Sequence, residues 1–130
     1  MDAGEAARRW AAVWEAAWPA HDIEAIVDLY ADDATYRALA FREPGRGRDG
    51  VREYLTQTFG EEEAVSCWFG RPIVDGDRAA VEWWATWKEG GQPLTLAGTT
   101  QLRLDADGLV VDHRDYWNST GGAVPPFPGW

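Results

Sequence analysis

Apolar residues recur at helical spacing over residues 3–18: Trp10, Trp14 and Trp18 fall four apart, with Ala7, Val13 and Ala17 on the same side. That period predicts an amphipathic helix. Pro19 is expected to end it, because the residue before a proline avoids the α region. Asp22 can N-cap a second helix, Ile23 to Ala31, whose apolar positions are Ile23, Ile26, Val27 and Tyr30. Ala34 to Ala38 reads as a short strand and Glu43 to Gly47 as a loop; Asp49 then caps a third helix over about Gly50 to Phe59. From there the period changes to two. Val65–Ile73, Arg78–Lys88, Leu94–Leu104 and Leu109–Asn118 read as strands separated by Gly- and Asp-rich turns. The Pro-rich tail from about 119 reads as irregular.

Strands joined by short turns are antiparallel neighbours, and helices grouped on one side of such a sheet define an α+β fold. The chain reads as one domain. A curved sheet of this kind leaves a hollow beneath the helices, where ligand pockets form.

Composition narrows the classes of partner. The 12 basic and 22 acidic residues give a net charge of −10. Such a surface repels nucleic acid and anionic lipid, so neither is expected as a partner, and a cytoplasmic location is expected. One cysteine, Cys67, excludes an intramolecular disulfide and reads as an inert thiol. No stretch has the length of an apolar membrane span, and the N-terminus lacks a signal-peptide pattern. Nine tryptophans are the compositional oddity. They can fill a core, or wall a cavity for a flat or hydrophobic ligand.

Several motifs carry little. Gly45-Arg46-Gly47-Arg48-Asp49-Gly50 formally matches G-x-G-x-x-G, but no βαβ unit surrounds it. His21 and His113 are the only histidines, without HxH, HExxH or CxxC patterns, so no metal and no cofactor is expected. No GxSxG nucleophile motif is present.

Asp22 to Tyr36 resembles the second-helix signature of the NTF2-like superfamily, and Gly50-Val51-Arg52-Glu53-Tyr54-Leu55 resembles its third helix. Ala80 to Trp84, the Asp105–Gly108 turn and His113 to Trp117 resemble the SnoaL-like branch. The resemblance runs from about Trp10 to Asn118. It implies an NTF2-like cone, three helices on a curved, mostly antiparallel sheet, commonly paired as a homodimer through the sheets. This fold carries enzymes, binding modules and dimerisation domains alike. In the related ketosteroid isomerases, a tyrosine and two aspartates do the chemistry. Those positions fall on Trp14, Ala38 and Thr100 here, so that mechanism is not expected. The Asp-Arg-Asp arrangement of limonene-epoxide hydrolases has no residue-by-residue match, although Arg103 and Asp115 lie on strands.

Side chains alternate along a strand, so His113, Asp115 and Trp117 share one face of the last strand. The resemblance turns that face toward the pocket. His113 and Asp115 are then neighbours, with Asp115 the candidate acid/base and His113 its partner. Trp83 and Trp87 flank the small Ala85 on one face of an earlier strand; Trp14, Trp18, Tyr54 and Thr100 close the same cavity. Trp14 or Thr100 is the candidate donor to a developing oxyanion. An ionised carboxylate among these tryptophans is costly unless paired. Asp115 is therefore expected either to pair with His113 or a tryptophan N–H, or to hold a proton.

The opposite face carries Glu82, Trp84, Thr86, Arg114 and Tyr116, and a partner subunit is expected to cover Trp84 and Tyr116. The resulting expectation is a cofactor-free, homodimeric protein that transfers protons on a small hydrophobic or aromatic molecule, as an isomerase, hydratase or cyclase. The alternative is a non-catalytic ligand-binding or dimerisation module.

Overall fold

A computed structural model describes residues 1–130. Helix α1, Ala3–Ala20, opens with a capping box: Asp2 Oδ1 accepts from Glu5 N–H, and the Glu5 side chain returns a bond to Asp2 N–H. Its buried stripe includes Trp10, Trp14, Ala17 and Trp18. Contrary to expectation, the helix runs through Pro19. Proline removes the N–H that would bond the Glu15 carbonyl. That carbonyl instead accepts from the Cys67 thiol at 3.5 Å. The helix ends two residues later, at left-handed His21.

Asp22 caps α2, Ile23–Val27, by accepting from Ala25 N–H. This helix is shorter than the Ile23–Ala31 expectation because Tyr30 already belongs to a strand. β1, Tyr30–Arg37, pairs in parallel with β7, Val110–Gly121. β2, Gly45–Arg46, is an edge strand the pattern did not indicate. Helix α3, Gly47–Phe59, starts earlier than expected; Arg46 is its N-cap residue and Asp49 lies in its first turn. The glycines before it serve close packing. Gly47 has φ +68°, and a Cβ on Gly50 would sit 2.9 Å from the Gly45 carbonyl carbon.

The expected strand 65–73 is split into β3, Glu63–Phe69, and β4, Ile73–Asp75, both paired with β5, Arg78–Glu89. Gly70, Arg71 and Pro72 make the break, where Pro72 has no N–H for a ladder. β6, Gln92–Leu104, pairs antiparallel with β5 and with β7. The sheet order is β2-β1-β7-β6-β5-β3, antiparallel except at β1–β7. β7 runs three residues past Asn118, so the irregular tail begins at Gly122. No helix is long and apolar enough to cross a membrane.

The helices cover one face of the sheet and bury the core between them. On the other face, the covering of Trp84 differs from expectation. Its indole N–H donates to the Val124 carbonyl at 2.7 Å, and Phe127 and Trp130 pack edge-on against it. The chain's own tail holds Trp84 at 9% exposure, while Tyr116 on the same face stays 46% exposed.

Candidate functional site

Between α1, α3 and the helix-facing side of the sheet lies a cavity of about 290 Å³. That is near the lower end of ligand-sized cavities. Six of the nine tryptophans line it: Trp10, Trp14, Trp18, Trp83, Trp87 and Trp117. Tyr54, Thr100, His113 and Asp115 line it too, so the candidate acid/base pair and the candidate binding residues meet on one cavity, whereas Ala85 packs behind it without lining it. Trp117 stands at the rim, 39% exposed, with its indole N–H on the Ala38 carbonyl at 3.0 Å.

A hydrogen-bond chain crosses the wall of this cavity. Trp10 and Trp14 both donate their indole N–H to the Tyr30 hydroxyl oxygen, at 3.1 and 3.3 Å. Tyr30 lies 2.9 Å from His113 Nδ1, and His113 Nε2 lies 2.8 Å from Asp115 Oδ1. Two incoming N–H groups occupy the lone pairs of the Tyr30 oxygen, so its proton points to Nδ1. The network thereby assigns His113 the Nε2–H tautomer, donating to Asp115. Thr100 donates its hydroxyl to the same Oδ1 at 2.6 Å and accepts from Trp83 Nε1 at 2.9 Å. His113 is 1% exposed and stacks on Tyr36, with ring centroids 3.9 Å apart.

These bonds revise one expectation. Trp14 and Thr100 have their protons committed to Tyr30 and Asp115, so neither is free to donate to a ligand. Tyr36 and Tyr54 have that freedom. Both line the cavity and their hydroxyls make no hydrogen bond within the protein. Burial, and then the Asp115 charge, push both phenols well above their ordinary range, which keeps them protonated donors. The second oxygen of Asp115, Oδ2, also makes no bond within the protein.

A second polar end of the cavity was not read from the pattern. Glu62 is only 8% exposed, and its Oε1 accepts from Trp18 Nε1 at 2.7 Å. Burial pushes its carboxyl up to about 7; the Trp18 bond pulls the other way, and the Glu89 and Glu61 charges add to the rise. Glu61 and Glu89 line the same cavity, and Trp87 Nε1 reaches Glu89 Oε1 at 3.4 Å.

The SnoaL-like domain model matches residues 7–113. The chain belongs to the SnoaL-like domain family. It is 26% identical over 102 residues to the cyclase aurE of Calcarisporium arbuscula, covering 75% of each chain. A protein of ketosteroid isomerase-like fold from Catenulispora acidiphila, solved in complex with trimethylamine, superimposes with a TM-score of 0.72 at 24% identity, covering 81% of this chain and 82% of that one. SalBIII, an epoxide hydrolase/cyclase-like enzyme in pyran ring formation in salinomycin, superimposes with a TM-score of 0.75 at 19% identity, covering 88% and 91%. These structures establish an NTF2-like α+β fold.

In this SnoaL-like domain the residues of the site that the sequence reading did not assign to it are Trp10, Tyr30, Tyr36 and Glu62. Trp10 shares the four-residue spacing of Trp14 and Trp18, and Tyr36 alternates with Ala34 on the buried face of β1. Those signals were available. Glu62 lies in a turn before β3 and carries no periodic signal. Arg48, in the first turn of α3, donates to the Tyr30 carbonyl at 2.7 Å at the start of β1. Cys67 has its thiol pushed up to about 12, by burial first and then by Glu15.

Proposed function

We propose that this chain is a cofactor-independent acid–base catalyst that acts on a small, largely apolar molecule held in the tryptophan-lined cavity. One observation carries the reading: Asp115 is anchored through Oδ1 alone, while Oδ2 and the Tyr36 and Tyr54 hydroxyls remain without protein partners on the same cavity. A carboxylate held this way is positioned to take a proton from a substrate C–H or O–H through Oδ2. The negative charge that develops on the substrate oxygen then receives an O–H bond from Tyr36 or Tyr54. Asp115 returns the proton to another atom of the substrate, so the enzyme ends as it began. His113 and Thr100 act as positioning residues, because they reach the substrate only through Asp115.

The names of two similar proteins support ring closure as the form of this chemistry. In that case Asp115 takes the proton of a substrate hydroxyl as its oxygen bonds to an electrophilic carbon of the same molecule; the C–O bond at that carbon breaks toward its oxygen, which receives an O–H bond from Tyr36 or Tyr54 as it gains charge and then takes the proton back from Asp115.

The reading can be tested before a substrate is known. A cyclic ketone such as 2-tetralone exchanges its α-hydrogens for deuterium in D2O when a base is placed beside it. The wild-type protein is expected to accelerate this exchange, followed by NMR. Asp115→Asn should cost roughly 10²–10⁴ in rate while leaving ketone binding, read by tryptophan fluorescence, nearly intact. Equal exchange rates in the two proteins would rule Asp115 out as the base.

A further inference from the structure

The charged residues that line the cavity are Glu61, Glu62, Glu89 and Asp115; no lysine or arginine reaches it. His113 offers no proton to the interior, because its Nε2–H is spent on Asp115. Carboxylates in an aromatic cavity, without a cation among them, form an unbalanced set.

The imbalance is sharpest at Glu62. This side chain is more than nine-tenths buried, and only Oε1 is satisfied, by the Trp18 indole N–H. Oε2 has no partner in the protein, although Glu62 lines the cavity. Glu61 and Glu89 stand on the same cavity, and both raise the cost of a charge on Glu62. Around this end stand Trp18 and Trp87, with ring centroids 5.7 Å apart, and Trp83 lies 5.8 Å from Trp18. The N–H edges of Trp18 and Trp87 are turned to Glu62 and Glu89. Indole faces are the electron-rich surface that attracts an organic cation.

We propose that the molecule taken by this cavity carries an ammonium group on an apolar body, and that the ammonium seats at the Glu62 end against Trp18 and Trp87. The assignment rests on the cavity being the substrate site proposed above, and it names the substrate class. A cation there faces the unpartnered Oε2 of Glu62 and offsets part of the negative charge of the three glutamates. The apolar remainder of the ligand extends toward Asp115 and the free tyrosine hydroxyls. A carboxylate or phosphate ligand is disfavoured by the same charges.

The test compares benzyltrimethylammonium with its neutral isostere neopentylbenzene and with phenylacetate, each titrated into the protein and followed by tryptophan fluorescence and calorimetry. The wild type is expected to bind the ammonium about ten-fold or more tighter than the isostere, and phenylacetate weakest. Glu62→Gln should bring ammonium and isostere within about three-fold of each other, through loss of ammonium affinity. Glu89→Gln, at an exposed position, gives the same direction of change should Glu62→Gln fold poorly. Equal wild-type affinity for ammonium and isostere overturns the proposal and leaves the cavity as a site for neutral molecules. A preference that survives both substitutions also overturns it. Binding of none of the three probes overturns the proposal together with the substrate-site reading on which it rests.

Discussion

Asp115 Oδ1 accepts from His113 Nε2 at 2.8 Å, and the opposite nitrogen of the same ring is closed by the Tyr30 hydroxyl at 2.9 Å. The imidazole is thus held at both ends in a site where it is 1% exposed. Its orientation is determined by α1 as much as by β7, since Trp10 and Trp14 orient Tyr30.

Tyr30→Phe tests that dependence. The change removes one hydroxyl and leaves two indole N–H groups and one imidazole nitrogen unpaired in a buried site. Each unsatisfied buried group costs about 1–3 kcal/mol, so a loss of about 3 kcal/mol or more is expected in urea unfolding. Nitrogen NMR of the histidine ring should report the Nε2–H form in the wild type and lose that fixed tautomer in the variant. A loss below about 0.5 kcal/mol would mean that the network does not hold the ring.

Glu62 makes a pH prediction whose sign is unusual for a carboxylate. Its folded value, about 7, lies above its ordinary value of 4.5, so the folded protein binds the proton more tightly than the unfolded chain. Its contribution to stability is greatest below about 4.5, declines as pH rises toward 7, and is level above that. Glu62→Gln keeps the shape of the protonated acid and removes the titration. Relative to wild type, the variant should gain up to about 3 kcal/mol between pH 4 and pH 8. Denaturant midpoints across that range provide the measurement, and a pH-independent difference would contradict the assignment.

Gly98 determines how closely two walls of the cavity approach. A Cβ there would lie 2.5 Å from the Tyr116 carbonyl oxygen, 2.7 Å from Trp117 Cβ and 3.0 Å from Trp83 Cζ2. The first two are held by the β7 backbone and cannot swing away. Gly98→Ala should cost about 1–3 kcal/mol and displace Trp83 from Thr100. Thermal unfolding and near-UV circular dichroism read both effects; a variant matching wild type in each would show that the strands yield easily.

The tail gives a fourth prediction. Removing residues 122–130 strips Val124, Phe127 and Trp130 from Trp84 and uncovers an indole beside the exposed Trp68, on the same sheet face as the exposed Tyr116. The truncated protein should melt at a lower temperature and self-associate more strongly at micromolar concentration in sedimentation experiments. Unchanged melting temperature and mass would show that the tail contributes no cover.

The sequence by itself determined which side of each long element is apolar. The four-residue spacing of Trp10, Trp14 and Trp18 requires one helical stripe, and the two-residue alternation of His113, Asp115 and Trp117 requires one strand face. Both follow from local backbone geometry, which a period in the chain reports directly. The antiparallel order of β5, β6 and β7 was legible for the same reason, because short turns leave no other pairing. The boundaries of α1 and α2 were not. Pro19 is tolerated because Cys67, on β3, supplies a donor to the freed carbonyl, and α2 stops where Tyr30 finds β7.

Only the tertiary structure decided which polar atoms are spent and which are free. Tyr30 reads as one more apolar position of a helix, yet it joins α1 to a residue 83 positions away. Thr100 and Trp14 have the right chemistry for donors but give their protons to Asp115 and Tyr30. Glu62 looks like one acid among 22 until folding buries it against Trp18, a partner 44 positions away. A side chain's hydrogen-bonding capacity is local, but its partners come from distant parts of the chain. The sequence therefore indicates where the cavity walls run, and the fold alone selects the atoms left open to a ligand.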